Sequence, residues 1–142
     1  MKLIRNVVLA LTLVFPGLAG AQEASAEQRL SVELNAADTV GESCRLSFFL
    51  RNLTEQDIDQ FVVETVLFSK EGQVVLLTLF DFAEIPVGRP RVRQFQVPDT
   101  SCDSLGMVLV NGVDTCKMGG QDTGLCSSVL DVSHRTDIAL EG

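Results

Sequence analysis

The sequence contains no tryptophan and no tyrosine, and phenylalanine supplies all eight aromatic residues. The amphipathic rings that usually stack on sugars or cage cations are therefore missing. Positive charge is scarce too: 11 Lys+Arg stand against 19 Asp+Glu, a formal net charge of -8 at pH 7. Nucleic-acid binding needs a surplus of Lys and Arg to neutralise phosphates, so that class is excluded. There is one histidine, His134, and no Gly-x-Ser-x-Gly elbow to mark a nucleophile. No window shows sustained helical periodicity with caps, and no internal repeat is visible. After residue 15, no apolar run approaches the roughly twenty residues of a membrane-spanning helix. What is present, 142 residues with 46% hydrophobic and 21% charged, is too apolar for a disordered tail and has room for one domain plus a targeting segment.

Lys2 and Arg5 precede an apolar run over residues 7–15, which Pro16-Gly17 breaks. Ala19-Gly20-Ala21 then places small residues where a signal peptidase requires them. This is the three-part plan of a secretory signal peptide over residues 1–21, with cleavage expected before Gln22. The run is too short for a transmembrane anchor. No Cys follows the cleavage site, which argues against a lipoprotein, and the lack of an Arg-Arg pair favours ordinary unfolded export. Cleavage removes two basic residues and no acidic ones, leaving 9 Lys+Arg against 19 Asp+Glu, a balance of -10. The expected product is soluble and periplasmic or extracellular, with no membrane anchor after cleavage. It has a flexible leader over residues 22–27 and a folded domain over residues 28–142.

All four cysteines, Cys44, Cys102, Cys116 and Cys126, lie in the exported part, and an even count there reads as two disulfides with three possible pairings. Cys116 and Cys126 flank a loop containing Gly119, Gly120 and Gly124, so a local bridge needs little chain reorganisation. Cys44 with Cys102 would then be a long-range staple. A zinc site wants closely paired ligands, and no two of these cysteines are so close.

From residue 28 onward the pattern has period two. Leu30, Val32 and Leu34 share one face of an expected strand, as do Cys44, Leu46, Phe48 and Leu50. Residues 52–59 form a polar loop, and residues 61–68 are rich in Val and Phe before a hairpin turn at Ser69-Lys70-Glu71-Gly72. Residues 74–82 are apolar on both faces, as in a central strand covered from both sides. Residues 91–97 alternate, residues 107–110 are a short apolar strand, and Asn111-Gly112 is a strong two-residue hairpin signal. Residues 129–140 alternate again. Seven or so short strands with regular turns predict an all-β fold, a single antiparallel immunoglobulin-like β-sandwich stapled by disulfides. A closed barrel is the rival.

The order of strands and turns from Cys44 to Val97, with Arg51-Asn52 and Ser69-Lys70-Glu71-Gly72 as landmarks, resembles small immunoglobulin-like modules of exported bacterial proteins, including FxLYD domains. Over about residues 43–140 the chain also resembles an uncharacterised family of exported bacterial proteins, some described only as Tat pathway signal sequence domain proteins. The stretches that carry this likeness are Leu79-Phe80-Asp81-Phe82, Gly88-Arg89-Pro90-Arg91-Val92-Arg93-Gln94-Phe95 and Val108-Leu109-Val110-Asn111-Gly112. The resemblance implies export and a sandwich fold, and no mechanism.

Arg89, Arg91 and Arg93 form the only basic cluster, and an extended backbone would project them to one side at a spacing of two. Their guanidinium groups suit a carboxylate, a phosphate or an acidic protein partner. The alternative is a row of ion pairs with the chain's own acids that protects an edge strand. Glu55, Asp57 and Asp59 lack the glycine and terminal glutamate of a calcium loop and read as a solvated acidic loop. Asn52-Leu53-Thr54 matches a glycosylation sequon, which matters only in a eukaryotic secretory route. His134 lies on the apolar register and reads as a hydrogen-bonded core or rim residue, with a copper site using Met107 or Met118 as the alternative. The expected function is a non-catalytic binding or accessory module without cofactor or metal, acting on a protein partner of unknown identity. A small periplasmic enzyme or metal carrier built on His134 is one alternative. An inhibitor presenting the Cys116–Cys126 loop to a secreted hydrolase is another.

Overall fold

The computed structural model describes residues 26–142, so the expected signal peptide and most of the leader lie outside the described residues. Strand β1 (Arg29–Val40) and strand β2 (Ser43–Leu53) form an antiparallel hairpin whose alternation is the one read from sequence. Leu30, Val32 and Leu34 on the first, and Cys44, Leu46, Phe48 and Leu50 on the second, are all buried. Strand β3 (Ile58–Ser69) crosses to a second layer and turns at residues 70–73 into β4 (Val74–Ile85). Gly72 makes that turn possible: its φ of 81° lies where a side chain would be strained. Strand β5 (Arg91–Val97) returns to the first sheet beside β2. A short 3-10 turn, Cys102–Ser104, leads into the long β6 (Leu105–Met118), which pairs with β3.

After β6 come β7 (Gln121–Asp122), a one-turn helix α1 (Leu125–Val129), β8 (Leu130–His134) and β9 (Ala139–Glu141). The first sheet runs β5-β2-β1-β8, and the second runs β4-β3-β6-β7 with β9 also on β6. Two sheets pack as a sandwich, so the all-β class and the layered architecture hold and the barrel does not. Among the described residues there are nine strands rather than about seven. Two pairings, β1 with β8 and β6 with β9, are parallel rather than antiparallel. These differences share one cause. Residues 129–140 are not one strand: they turn at residues 135–138 and lend a short strand to each sheet.

Phenylalanine knits the layers. Phe48 of the first sheet meets Phe80 and Phe82 of the second edge-on, at 5.8 and 5.4 Å between ring centroids. Phe95 of β5 stacks on Phe80 at 4.2 Å. Offset and edge-to-face contacts of this kind add to the burial of the rings themselves. Both bridges pair as the spacing suggested. Cys44–Cys102 joins β2 to the turn that leads into the second sheet, and Cys116–Cys126 ties α1 to β6.

Two further expectations are corrected. Asn111-Gly112 makes no hairpin: β6 runs straight through it. The register with β3 jumps between the pairs Glu64–Gly112 and Thr65–Val110, which leaves Asn111 as the extra residue of a bulge. Its Nδ2 donates to Oε1 of Glu64. Residues 74–82 are not a central strand. They belong to β4, the edge of the second sheet, and Val75, Leu77 and Leu79 face outward and exposed.

Candidate functional site

The site is built where the end of β2 meets the connection from β4 to β5. Asn52, near the end of β2, is buried, and its Nδ2 donates to the carbonyls of Gln56 and Ile85, both at 2.8 Å. Its Oδ1 accepts from the backbone N–H and the hydroxyl of Thr54. Asn52 also forms an isolated parallel bridge with Val87, whose N–H donates to Oδ1 of Asp57 at 2.7 Å. The polar loop after β2 thus braces the turn at residues 86–88, where Gly88 takes a φ of 69°. This turn carries Arg89.

The ladder sets Leu50 opposite Arg91, which brings Arg51 level with residue 90. Arg51 and Arg89 accordingly line one open cleft of about 260 Å³ together with Asn52, Leu53, Gly88 and Pro90. The Arg51 guanidinium lies over the Phe49 ring, 5.0 Å from its centroid, a cation–π contact that holds the side chain against the sheet. Seven arginines fall within the described residues. Five of them, Arg29, Arg45, Arg91, Arg93 and Arg135, are in ion pairs. Arg51 and Arg89 make none among the described residues.

The expected three-arginine stripe is therefore divided. Arg91 and Arg93 point toward β4, where Glu84 takes both, at 3.6 and 3.3 Å. Arg93 goes further: its Nε donates to the carbonyl of Phe82 at 2.9 Å and its Nη2 to the carbonyl of Glu84 at 3.2 Å. Glu84 holds its carboxyl below the ordinary range, first through its own backbone N–H and then through the two arginines. Of the three, only Arg89 makes no ion pair among the described residues. Its cleft partner Arg51, 38 residues earlier in the chain, carries no local signal of that role.

The other candidates make structural contacts. Asp57 caps Val87, and Asp59 accepts from the N–H of Gly120 at 2.8 Å, so both carboxylates anchor turns. Asn52 of the sequon is buried and hydrogen-bonded through both ends of its amide in the folded chain. His134 pairs with the buried Leu34, on the register of Leu130 and Val132, but is itself exposed at the end of β8, a rim residue whose Nδ1 accepts from the N–H of Leu140 across the turn between β8 and β9. Among the described residues there is no group of three or more His, Cys, Asp or Glu side chains placed to hold a metal. The Cys116–Cys126 loop is a hairpin closed by Gly119 and Gly120, both at positive φ. On the outer face of the first sheet, Glu33 accepts from Asn35 and Arg135, which lower its pKa in that order.

No helix among the described residues is long and apolar enough to cross a membrane. No family model matches the chain, and no curated protein matches it. A solved structure described as the structural characterization of IrmA from Escherichia coli superposes with a TM-score of 0.58. The match covers 74% of this chain and 91% of that one at 15% sequence identity. At that identity the likeness bears on the fold alone.

Proposed function

We propose that this chain is an exported, non-catalytic, immunoglobulin-like binding module, and that it takes an acidic protein partner through the cleft of Arg51 and Arg89. One observation carries the reading. The two arginines that make no ion pair among the described residues, drawn from distant parts of the chain, line a single cleft. Guanidinium groups offer planar, paired donors to carboxylates, and Arg51, whose guanidinium rests over Phe49, would swing from that ring to meet a ligand beside Arg89. The net charge repels an acidic partner at long range, but at physiological salt that field is screened within about 8 Å. Contact is then decided by the local cations. Braced by Asn52 and Asp57, the turn that carries Arg89 loses little entropy on binding. The two disulfides and the sandwich fold support the exported part of the reading.

The test is affinity capture with tagged residues 22–142 exported in the native host, alongside the double variant Arg51→Glu/Arg89→Glu. One stoichiometric partner on the wild type, lost on the variant at an unchanged melting temperature, is the expected result. Capture that survives both substitutions removes the cleft from consideration.

A further inference from the structure

The two sheets end in five strands, and four of these are poor templates for pairing. Strand β7 has two residues and β9 three. Strand β8 has five residues and carries Asp131, and β5 carries Arg91 and Arg93. Short and charged edges are how soluble proteins avoid edge-to-edge association. The fifth, β4, breaks the pattern. It is twelve residues long, and its first seven, Val-Val-Leu-Leu-Thr-Leu-Phe over residues 74–80, contain no charge and no proline.

The outer face of this stretch is apolar and bare. Val75, Leu77 and Leu79 are 43%, 59% and 53% exposed. Behind them, Leu77 pairs with Val66, and Val66 with Leu109, so an apolar row continues across three strands. Val66 is only 8% exposed although it lies on the outer face. The far half of β4 is closed to pairing. Arg93 occupies the carbonyls of Phe82 and Glu84, Asp81 accepts from the N–H of Ala83, and Ala83 itself has a φ of 56°. One half of the edge is guarded, and the other is left open over seven residues.

We infer that the open half pairs with the same stretch of a second copy, antiparallel, about a two-fold axis at Leu77. A symmetric dimer uses one patch twice, so the axis must pass through the middle of the available window. With Leu77 opposite Leu77, Val75 lies opposite Leu79 and Val74 opposite Phe80, all apolar. Asp81 falls opposite Gln73. Beyond it the chain is in the hairpin turn, where Glu71 stays in solvent level with Ala83, and Lys70 falls level with Glu84, of opposite sign. Moving the axis to Leu76 sets Asp81 against Glu71, and moving it to Thr78 sets Asp81 against Val75. Like charges directly opposite are destabilising, and a carboxylate against Val loses solvation. Charge and polarity therefore select one register, and the occupant that matches it is a second copy of this chain.

The test uses the folded, disulfide-intact chain and does not depend on the arginine cleft. Sedimentation of residues 22–142 is expected to give twice the monomer mass, and Arg51→Glu/Arg89→Glu to leave that mass unchanged. In Leu77→Cys, two thiols face each other across the axis, and a short bis-maleimide is expected to link the copies. In Val75→Cys alone the two thiols stand about 13 Å apart, and no link is expected. An equimolar mixture of Val75→Cys and Leu79→Cys restores it. Leu77→Lys places like charges at the axis and is expected to halve the mass, and Val75→Lys serves as the second variant should the first fold poorly. A monomer at every concentration overturns the inference. So does a dimer that Leu77→Lys leaves intact, or a residue-77 link to a different protein in place of a second copy.

Discussion

The Nε of Arg93 donates to the carbonyl oxygen of Phe82 at 2.9 Å, so a side chain of the first sheet closes part of the backbone edge of the second. The same guanidinium reaches the carbonyl and carboxylate of Glu84. Arg93→Ala is expected to cost about 1–2 kcal/mol, because hydrogen bonds to a charged donor are lost at a partly buried seam. Thermal melts check this against Arg89→Ala, which changes a solvated residue and is expected to stay within about 0.5 kcal/mol. Equal effects of the two would mean that Arg93 does not join the sheets.

Asn52 satisfies four partners from one buried amide. Asn52→Ala leaves the carbonyl of Ile85 and the N–H of Thr54 to find new partners, while the Thr54 hydroxyl keeps the carbonyl of Gln56 at 3.0 Å. A loss of about 3 kcal/mol is expected in urea unfolding. The turn at residues 86–88 also loses an anchor, so capture through Arg89 is expected to weaken even where the variant remains folded.

Thr65 is fully buried on β3, and its hydroxyl has no hydrogen-bond partner among the described residues. Val has nearly the same shape without the polar group. Thr65→Val is expected to stabilise the fold by about 1 kcal/mol, read as a raised urea midpoint with unchanged slope. A lowered midpoint would show that the hydroxyl is bonded.

The two bridges close loops of very different length, with sequence separations of 58 and 10. Loop entropy assigns about 4 kcal/mol to the first and about 2.7 kcal/mol to the second. Unfolding of Cys44→Ala/Cys102→Ala against Cys116→Ala/Cys126→Ala is expected to show the larger loss for the long staple. The reverse order would place the stabilisation in local geometry at α1 instead.

Where one face of a strand is covered and the other is wet, the alternation in the sequence is an imprint of the sheet. This made β1, β2 and β5 legible, and cysteine spacing did the same for the bridges. Strand β4 was misread because Val, Leu and Phe on both faces say only that water is disfavoured there, not what excludes it. A neighbouring strand and a second molecule leave the same trace. Asn111-Gly112 tolerates the backbone of a turn but does not require it, and pairing along the full length of β3 outweighed that preference. The site was half visible. Arg89 stood in a basic cluster, whereas Arg51 joins it through strand pairing across 38 residues, a relation that no local pattern encodes. The ion pairs of Arg91 and Arg93 were not legible, because their acidic partner, Glu84, belongs to the neighbouring sheet.

Strand β8 returns to lie beside β1, matching Leu30 with Leu130 at a distance of one hundred residues along the chain. Pairings this remote are slow to find, because a long loop must close before any contact compensates it. A chain that has emerged only as far as β6 can form both hairpins and still present a bare β1. Completion therefore waits on the segment made last, and until then the first sheet lacks the strand that closes its edge.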